Sequence, residues 1–552
     1  MDGKGGLSAV VRLAWFAASV LLYSTSRAFD AVEESEVLPS FAELEALGAI
    51  VGTIRVDPRD IFDLSDPNEN GWLYRLANRL HSRTRPETVA QQLLFKSGER
   101  VSARAIAETE RLLRGNRYLH EVEIRPVAYR DGVVDIDVMT RDSWTLDPGL
   151  SVARSGGANS SRFYVNEKNL LGRGVSVGFM RSTNVEHSGT QLSFSDKHVF
   201  GQWTSLDASV SRLTDGSQWS IALGRPFYAT ETPWAAGISA SRSDALNSIY
   251  DKGDRIAAYR ALQSAFRASA GTSSAAPGGS VRRYTAGFDY QGATYTAEAG
   301  QTPPDPLPQD LVISGPFVGY EVLNESYEKV VNRDQIGRTE YFSLGTKTGL
   351  QLGRSLTNLG GTVDGWIVSL GASHGTHVFR SHSLIASANL AGRLTQSQRQ
   401  NQLLSASARY FIPQTYDALF TVSATADIYR HPDRTAPLQL GGDTGLRGYP
   451  LSFQSGERRV LLTVEERVYT DWYPYRTVRV GAAVFADVGR AWHGTGEQTA
   501  GERVLTDAGI GLRFQNPRSA SGTMVHADVA FPVNARNEIK SVQLLVKSST
   551  SF

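Results

Sequence analysis

The chain has 552 residues, no cysteine, 52 glycines and a formal net charge of +1. Absence of cysteine excludes disulfides and thiolate metal sites, and near-neutral charge gives no footing for a nucleic-acid partner. Mean hydropathy is slightly negative, −0.26, and no segment is long and apolar enough for a membrane helix.

In chain order, Lys4 and Arg12 flank a short basic region, and Leu13 to Tyr23 is an apolar run too short to span a bilayer as a helix. Ser26-Arg27-Ala28 follows with small residues where a signal peptidase reads, so residues 1–28 are expected to be a secretory signal peptide. Residues 29–48 are acidic and predict a linker with a short helix around Phe41 to Leu47.

A small α+β domain is expected over 49–142. Ile50 to Val56 predicts a strand ending before Pro58. Trp72 to Leu80 is helical in pattern, with Trp72, Leu73, Leu76 and Leu80 on one stripe. Thr84 is placed to cap a further helix with Pro86 in its first turn, and Ser102 a third running to Leu113, stopped by Gly115. Val122 to Tyr129 turns at Asp131-Gly132 into Val133 to Thr140, where Val134, Ile136 and Val138 face a core.

From about Trp144 the pattern changes to a long series of strands. Glu167 to Gly174 reads as a tight turn. Strand candidates follow at about 176–183, 190–199, 203–212, 217–225, 234–244, 282–291, 311–323, 340–353, 364–373, 378–391, 402–411 and 417–429. Asp244 to Ser280, charged early and rich in small residues late, predicts a flexible loop, and Gln301 to Pro308 a proline-rich break.

The last hundred or so residues are the most regular. A glycine-rich segment, Leu440 to Pro450, is followed by five alternating strands. Val480, Ala482, Val484, Ala486 and Val488 share one face, and Arg479, Gly481, Ala483, Phe485, Asp487 and Gly489 the other. Ile510, Leu512 and Phe514 alternate with Gly509, Gly511 and Arg513. Val525, Ala527, Val529 and Phe531 alternate with His526, Asp528, Ala530 and Pro532. Val542, Leu544, Val546 and, by parity, Phe552 share a face of the final strand. A wall with lipid on one side and water on the other has this pattern; a soluble sandwich with the apolar face as core is the alternative. A sheet in lipid must close, because an open edge cannot be satisfied there. Signal peptide plus closed barrel points to a bacterial outer membrane, or one descended from it, with the N-terminal domain expected in the periplasm.

Leu112 to Val122, with the order strand, helices, strand, strand, resembles a POTRA domain, the polypeptide-transport-associated module. Asp135 and Asp137 are expected on the solvent face of its last strand, and the usual use of such a domain is to lend a sheet edge to an extended client. Together with Asn169-Leu170-Leu171-Gly172, Leu446-Arg447-Gly448-Tyr449, Glu465, Phe485-Ala486-Asp487-Val488-Gly489 and a terminal Phe552, it makes the chain similar to the BamA/TamA superfamily of outer-membrane assembly and translocation proteins, the bacterial surface antigens.

The resemblance implies a transmembrane antiparallel β-barrel of sixteen strands over 144–552, preceded by the POTRA-like domain. The glycine-rich segment would be its sixth external loop, folded back into the lumen. Arg447 would meet acidic groups there, and parity places Glu465 and Asp487 inward. Gly448 would allow close backbone approach. Phe485 and Gly489 belong to the matching strand motif, and Phe552 to a C-terminal assembly signal. One POTRA-like unit is fewer than the general assembly factors carry, which counts against the core insertase role.

Nothing points to an enzyme or a cofactor. Neither a Gly-x-Ser-x-Gly elbow nor a P-loop is present, and His374, His377 and His382 lack the further ligands a metal site needs, so a polar turn is the plainer account. Three functions stay open: insertion or translocation of an unfolded protein client received at the POTRA edge strand; a passive or gated pore; and lipid handling. The expected partners are outer-membrane lipid, the client and other periplasmic proteins.

Overall fold

A computed structural model describes residues 38–549, apart from 156–157, 184–186, 252–253, 277–278, 380, 396–398, 432–437, 494–502, 521–523 and 535–538. The predicted signal peptide and Phe552 lie outside the described residues.

The N-terminal unit contains α1 (Phe41–Ala46), β1 (Ile50–Arg59), α2 (Trp72–Leu80), α3 (Pro86–Ala90), α4 (Ala103–Arg114), β2 (Leu119–Arg130) and β3 (Val133–Asp142). Ser40 and Glu43 form a reciprocal capping box that starts α1, and Ser102 accepts the Ala105 N–H to start α4. Thr84 does not cap α3: its hydroxyl and amide both bind Asp142, at 2.7 Å each. The sheet order is β1-β3-β2, with β1 parallel and β2 antiparallel to β3. β1 continues through Pro58 because it is an edge strand, where a residue without an N–H is tolerated. Leu44, Val51, Ile106, Leu113, Ile136 and Val138 are among the buried core side chains.

The sheet corrects one expectation. Asp137 is not on a solvent face but is 2% exposed. It lies opposite Arg55 in the β1–β3 register, and Arg55 Nε donates to its Oδ1 at 3.0 Å. The guanidinium covers a carboxylate that alternation alone leaves open.

The rest of the chain closes into one barrel. Its strands are β4 (Leu146–Ser155), β5 (Ala158–Glu167), β6 (Ser176–Thr183), β7 (Ser188–Asp196), β8 (Ser205–Leu213), β9 (Ser217–Arg225), β10 (Trp234–Asp251), β11 (Asp254–Ala275), β12 (Val281–Thr296) and β13 (Leu311–Val331). They continue with β14 (Thr339–Ser355), β15 (Gly365–His377), β16 (Ser383–Thr395), β17 (Arg399–Pro413) and β18 (Ala418–Arg430). A two-stranded insert, β19 (Leu438–Leu440) and β20 (Gln454–Gly456), precedes β21 (Arg458–Tyr469), β22 (Arg479–Trp492), β23 (Leu505–Gln515), β24 (Met524–Pro532) and β25 (Gln543–Ser549).

Barrel strands β4–β18 and β21–β25 number twenty, with β25 beside β4, so the expected sixteen is wrong. Three strands account for the difference from the sequence pattern. Residues 146–167, ahead of the first strand candidate, hold a hairpin. The expected loop in 244–280 contains β11, paired along its length with β10 and β12. Its small residues carry no hydrophobic signal, but ladder hydrogen bonds do not depend on side chains. The glycine-rich segment therefore sits on the eighth connection at the end away from the N-terminal domain, not the sixth.

Burial follows the expected parity. Val484, Val488, Ile510, Leu512, Val525 and Phe531 are exposed on the outer wall, while Phe485, Asp487, Arg513, His526 and Asp528 are buried inside. Among the described residues no helix is long and apolar enough to cross a membrane; the crossing elements are strands.

The N-terminal domain rests on the near end of this barrel. Glu69 takes Arg518 and Arg476 from two barrel turns, with Arg476 Nη1 at 3.2 Å. Glu108 accepts the Thr230 N–H at 3.1 Å, Glu110 pairs with Lys329 at 2.9 Å, and Thr88 donates to the Gly172 carbonyl at 2.8 Å. The Asn169 amide donates to Thr84 Oγ1 at 2.8 Å, extending the Asp142 cluster into the first near-end turn. Burial pushes Glu69 and Glu110 up, but their arginine and lysine partners outweigh it and hold both below the ordinary carboxylate value.

Candidate functional site in the barrel lumen

The long connection between β18 and β21 turns back into the lumen. Gly445, at φ +101, permits the reversal, and a Cβ there would lie 2.2 Å from Leu461. Leu440, Leu446 and Tyr449 are buried with Ala491 and Leu505, which seats the loop on the inner wall. The Tyr449 hydroxyl donates toward the Asn534 carbonyl at 2.8 Å and the Thr506 carbonyl at 3.0 Å.

This seat delivers Arg447 to the acidic wall. Its Nε and Nη2 reach the two oxygens of Asp487 at 2.8 and 3.0 Å, a bidentate fork. Its Nη1 reaches Glu465 at 2.9 Å and Asp528 at 3.3 Å. The guanidinium also lies over the Phe485 ring, 3.3 Å from the centroid. Gly448 approaches the wall so closely that a Cβ would stand 2.6 Å from that of Asp507, while its N–H donates to the Asp507 carboxylate at 3.0 Å.

Leu446, Arg447, Gly448, Tyr449, Glu465, Phe485 and Asp487 are thus brought together by three separate elements, the loop, β21 and β22. Gly489 lies nearby on β22, opposite Leu461 in the β21–β22 register. The sequence reading missed three further members. Arg513 binds Glu465 at 3.0 Å and Asp528 at 2.5 Å, and Arg467 binds Glu465 at 2.8 Å. Arg467 shares its parity on β21 with Glu465, and Arg513 and Asp528 lie on the inward faces of their strands, so the buried-charge rule was the available signal: a buried ion needs a partner. Arginines 447, 467 and 513 balance carboxylates 465, 487 and 528, all with side chains no more than 4% exposed.

The column continues to the other end of the lumen. Arg467 Nη1 donates to the Arg333 carbonyl at 3.1 Å, in the near-end turn between β13 and β14. That turn bends inward, burying Ile336 among Phe342, Phe411, Leu419, Tyr469 and Met524. Arg338, at its end, donates to the Leu119 carbonyl of the N-terminal domain at 2.9 Å. The far-end loop, the wall cluster, the near-end turn and the domain form one connected set of contacts.

His374 and His382 bond separate partners. His374 meets Thr346 and His382 meets Tyr410, each at 2.8 Å. Among the described residues no group of three or more metal-ligating side chains occurs.

A closed antiparallel barrel with an apolar outer wall and a charged, loop-filled lumen defines a transmembrane β-barrel. An Omp85 superfamily domain matches residues 169–552. The chain therefore belongs to the Omp85 superfamily, whose BamA- and CdiB-like members are non-enzymatic transport and assembly proteins, and its place is the bacterial outer membrane. Among solved structures it is similar to BamA from Haemophilus ducreyi lacking POTRA domains 1–3, at 15% identity over 91% of this chain and 84% of that one, with a TM-score of 0.38. It is also similar to CdiB from Escherichia coli (14% identity, 91% and 76% covered, TM-score 0.49) and to CdiB from Acinetobacter baumannii (12%, 97% and 96%, 0.44). No curated protein matches the sequence.

Proposed function

We propose that this barrel inserts a protein client into the outer membrane or passes it across, and that the N-terminal domain is a POTRA domain, periplasmic, which receives the client. The observation that carries the reading is the lumen itself. A passive pore needs an open channel, whereas here a loop is pinned inside by a neutralised cluster of three arginines and three carboxylates. Passage requires that set to rearrange, which suits a device that works on demand.

Two further features support it. In the domain, β2 and the outer part of β1 are sheet edges, to which an extended segment can add as another strand. In the barrel, the strands beside the closure are short: β4 and β5 have 10 residues each and β24 has 9, against 22 in β11 and 21 in β13. A strand crossing a membrane needs ~9–11 residues, so the closing seam has little ladder to spare and is the natural place to open sideways. Other periplasmic proteins would dock on the exposed domain surface.

Quantitative outer-membrane and secreted proteomics test this on wild type, a deletion and Arg447→Ala. Loss of the same one or few proteins in both mutants is the expected result and names the clients. An unchanged proteome removes the transport reading, and ion conductance without a client phenotype would put a gated pore in its place.

A further inference from the structure

Helix α2 of the N-terminal domain has its apolar face on the outside. Trp72 is 68% exposed, Leu73 47%, Leu76 43% and Leu80 68%, and no residue of the helix is buried. At 3.6 residues per turn the four side chains fall within an arc of about 100°. The opposite side holds the helix to the domain. Asn78 exchanges two hydrogen bonds with the Phe62 backbone, at 2.8 and 3.1 Å, and the Tyr74 ring packs 4.7 Å from that of Phe62. The apolar stripe is therefore presented to the surroundings by a fixed helix.

Its position says what covers it. The Tyr74 hydroxyl donates to the Tyr475 carbonyl at 3.1 Å, so α2 lies against the β21–β22 turn. That turn exposes Trp472 (64%) and Tyr475 (75%), and the outer wall of β21 leading into it exposes Val460, Leu462 and Val468. The apolar surface thus runs from the lipid-facing wall, over two aromatic residues at the rim, onto the helix. Tryptophan and tyrosine at a rim mark the headgroup level of a bilayer. Arg75 and Arg79, both exposed, border the stripe on one side, the arrangement of a helix lying in a membrane surface.

We propose that α2 is a lipid-binding element, seated in the headgroup–acyl boundary of the leaflet at the domain end of the barrel. Trp72, Leu73, Leu76 and Leu80 enter the leaflet, and Arg75 and Arg79 meet phospholipid phosphates. The helix would hold the domain at a set height beside the barrel. This rests on the membrane-barrel assignment and not on the client reading, so either can fail alone.

The test uses the full chain at one barrel per phosphatidylethanolamine/phosphatidylglycerol nanodisc. Because the chain has no cysteine, Leu76→Cys carries a single environment-sensitive fluorophore. We expect blue-shifted emission, quenched several-fold more by a shallow spin-labelled lipid than by aqueous iodide. A label at Leu73→Cys in a Trp72→Ser/Leu76→Ser/Leu80→Ser background should move back toward iodide. All these positions are surface ones, and heat-modifiable migration checks that the barrel is folded. Iodide quenching equal to that of free dye, in the otherwise unaltered chain, overturns the proposal. Protection that appears only on adding periplasmic extract overturns it in favour of a protein partner, and protection only above one barrel per disc in favour of a second copy.

Discussion

Replacing Arg447 by alanine should undock the far-end loop while leaving the barrel closed. Glu465 and Asp528 keep Arg513, and Glu465 also keeps Arg467. Asp487 loses its bidentate partner, and it faces Asp507 across the β22–β23 register. Asp487 is then left without its cation, next to a second buried acidic side chain. Orphaning a buried charge destabilises by about 3–5 kcal/mol, and the relief available is for the loop to leave and water to enter. At 1.4 kcal/mol per tenfold, the undocked population should rise by roughly two to three and a half powers of ten. Ser452, 6% exposed in the docked loop, is a suitable reporter as Ser452→Cys, since the chain has no other thiol. Its maleimide labelling should accelerate by about that factor in Arg447→Ala. Arg447→Lys should fall between, because an ammonium cannot make the fork. Adding Asp487→Ala to Arg447→Ala should recover part of the protection by removing the orphan. Unchanged labelling in Arg447→Ala, with heat-modifiability intact, would refute the claim that this cluster holds the loop.

Three smaller predictions follow the same contacts. Gly448→Ala puts a methyl 2.6 Å from the Asp507 Cβ, so Ser452→Cys labelling should also rise in that variant although every charge is kept. Asp142→Asn cannot accept from the Thr84 amide, the Thr84 hydroxyl and His81 together; it should weaken the domain–barrel joint by ~1–3 kcal/mol, seen as faster hydrogen exchange over residues 81–88 and 169–174. Acid should also release the domain. Glu69 and Glu110 are held below the usual carboxylate value, so their stabilisation is present above 4.5 and is lost as pH falls through the depressed values. Burial pushes the His120 imidazolium down to about 4, so its share begins to go as pH falls below 6.5. Spin labels at Arg130→Cys and Tyr416→Cys should give one narrow distance at pH 7 and a broadened distribution at pH 3.5; identical distributions would remove these groups from the joint.

Much of the barrel was legible because one face of each strand meets lipid and the other does not, which writes a period of two into the sequence. It was clearest in β21–β24, where many of the inward positions are charged or glycine. It failed in β11, whose alanines and serines suit either face, and in the β4–β5 hairpin. The strand number suffered for the same reason: closure is a property of the whole sheet, and resemblance supplied sixteen where the ladders make twenty. In the N-terminal domain, alternation placed Asp137 outward and could not foresee that Arg55, on a strand 82 residues earlier, lies over it.

The near-end turn was the least legible part, and it decides how the lumen works. Residues 332–338 fall between two strand candidates and carry no motif that distinguishes a turn entering the barrel from one leaving it. Only the assembled wall shows Ile336 inside, its N–H donating to Gln515 at 2.5 Å, and Arg333 presenting its carbonyl to Arg467. Arg467 shares Glu465 with Arg447. Among the described residues Glu465 is thus the carboxylate linked to both ends of the lumen, through Arg447 and through Arg467, and its loss should release two plugs where the loss of Asp487 releases one. Glu465→Gln can be compared with Asp487→Asn using Ser452→Cys labelling for the far end and Gln335→Cys for the near end. Acceleration at both positions in the first variant and at Ser452 alone in the second is expected. Acceleration confined to Ser452 in both would mean that the two closures open independently.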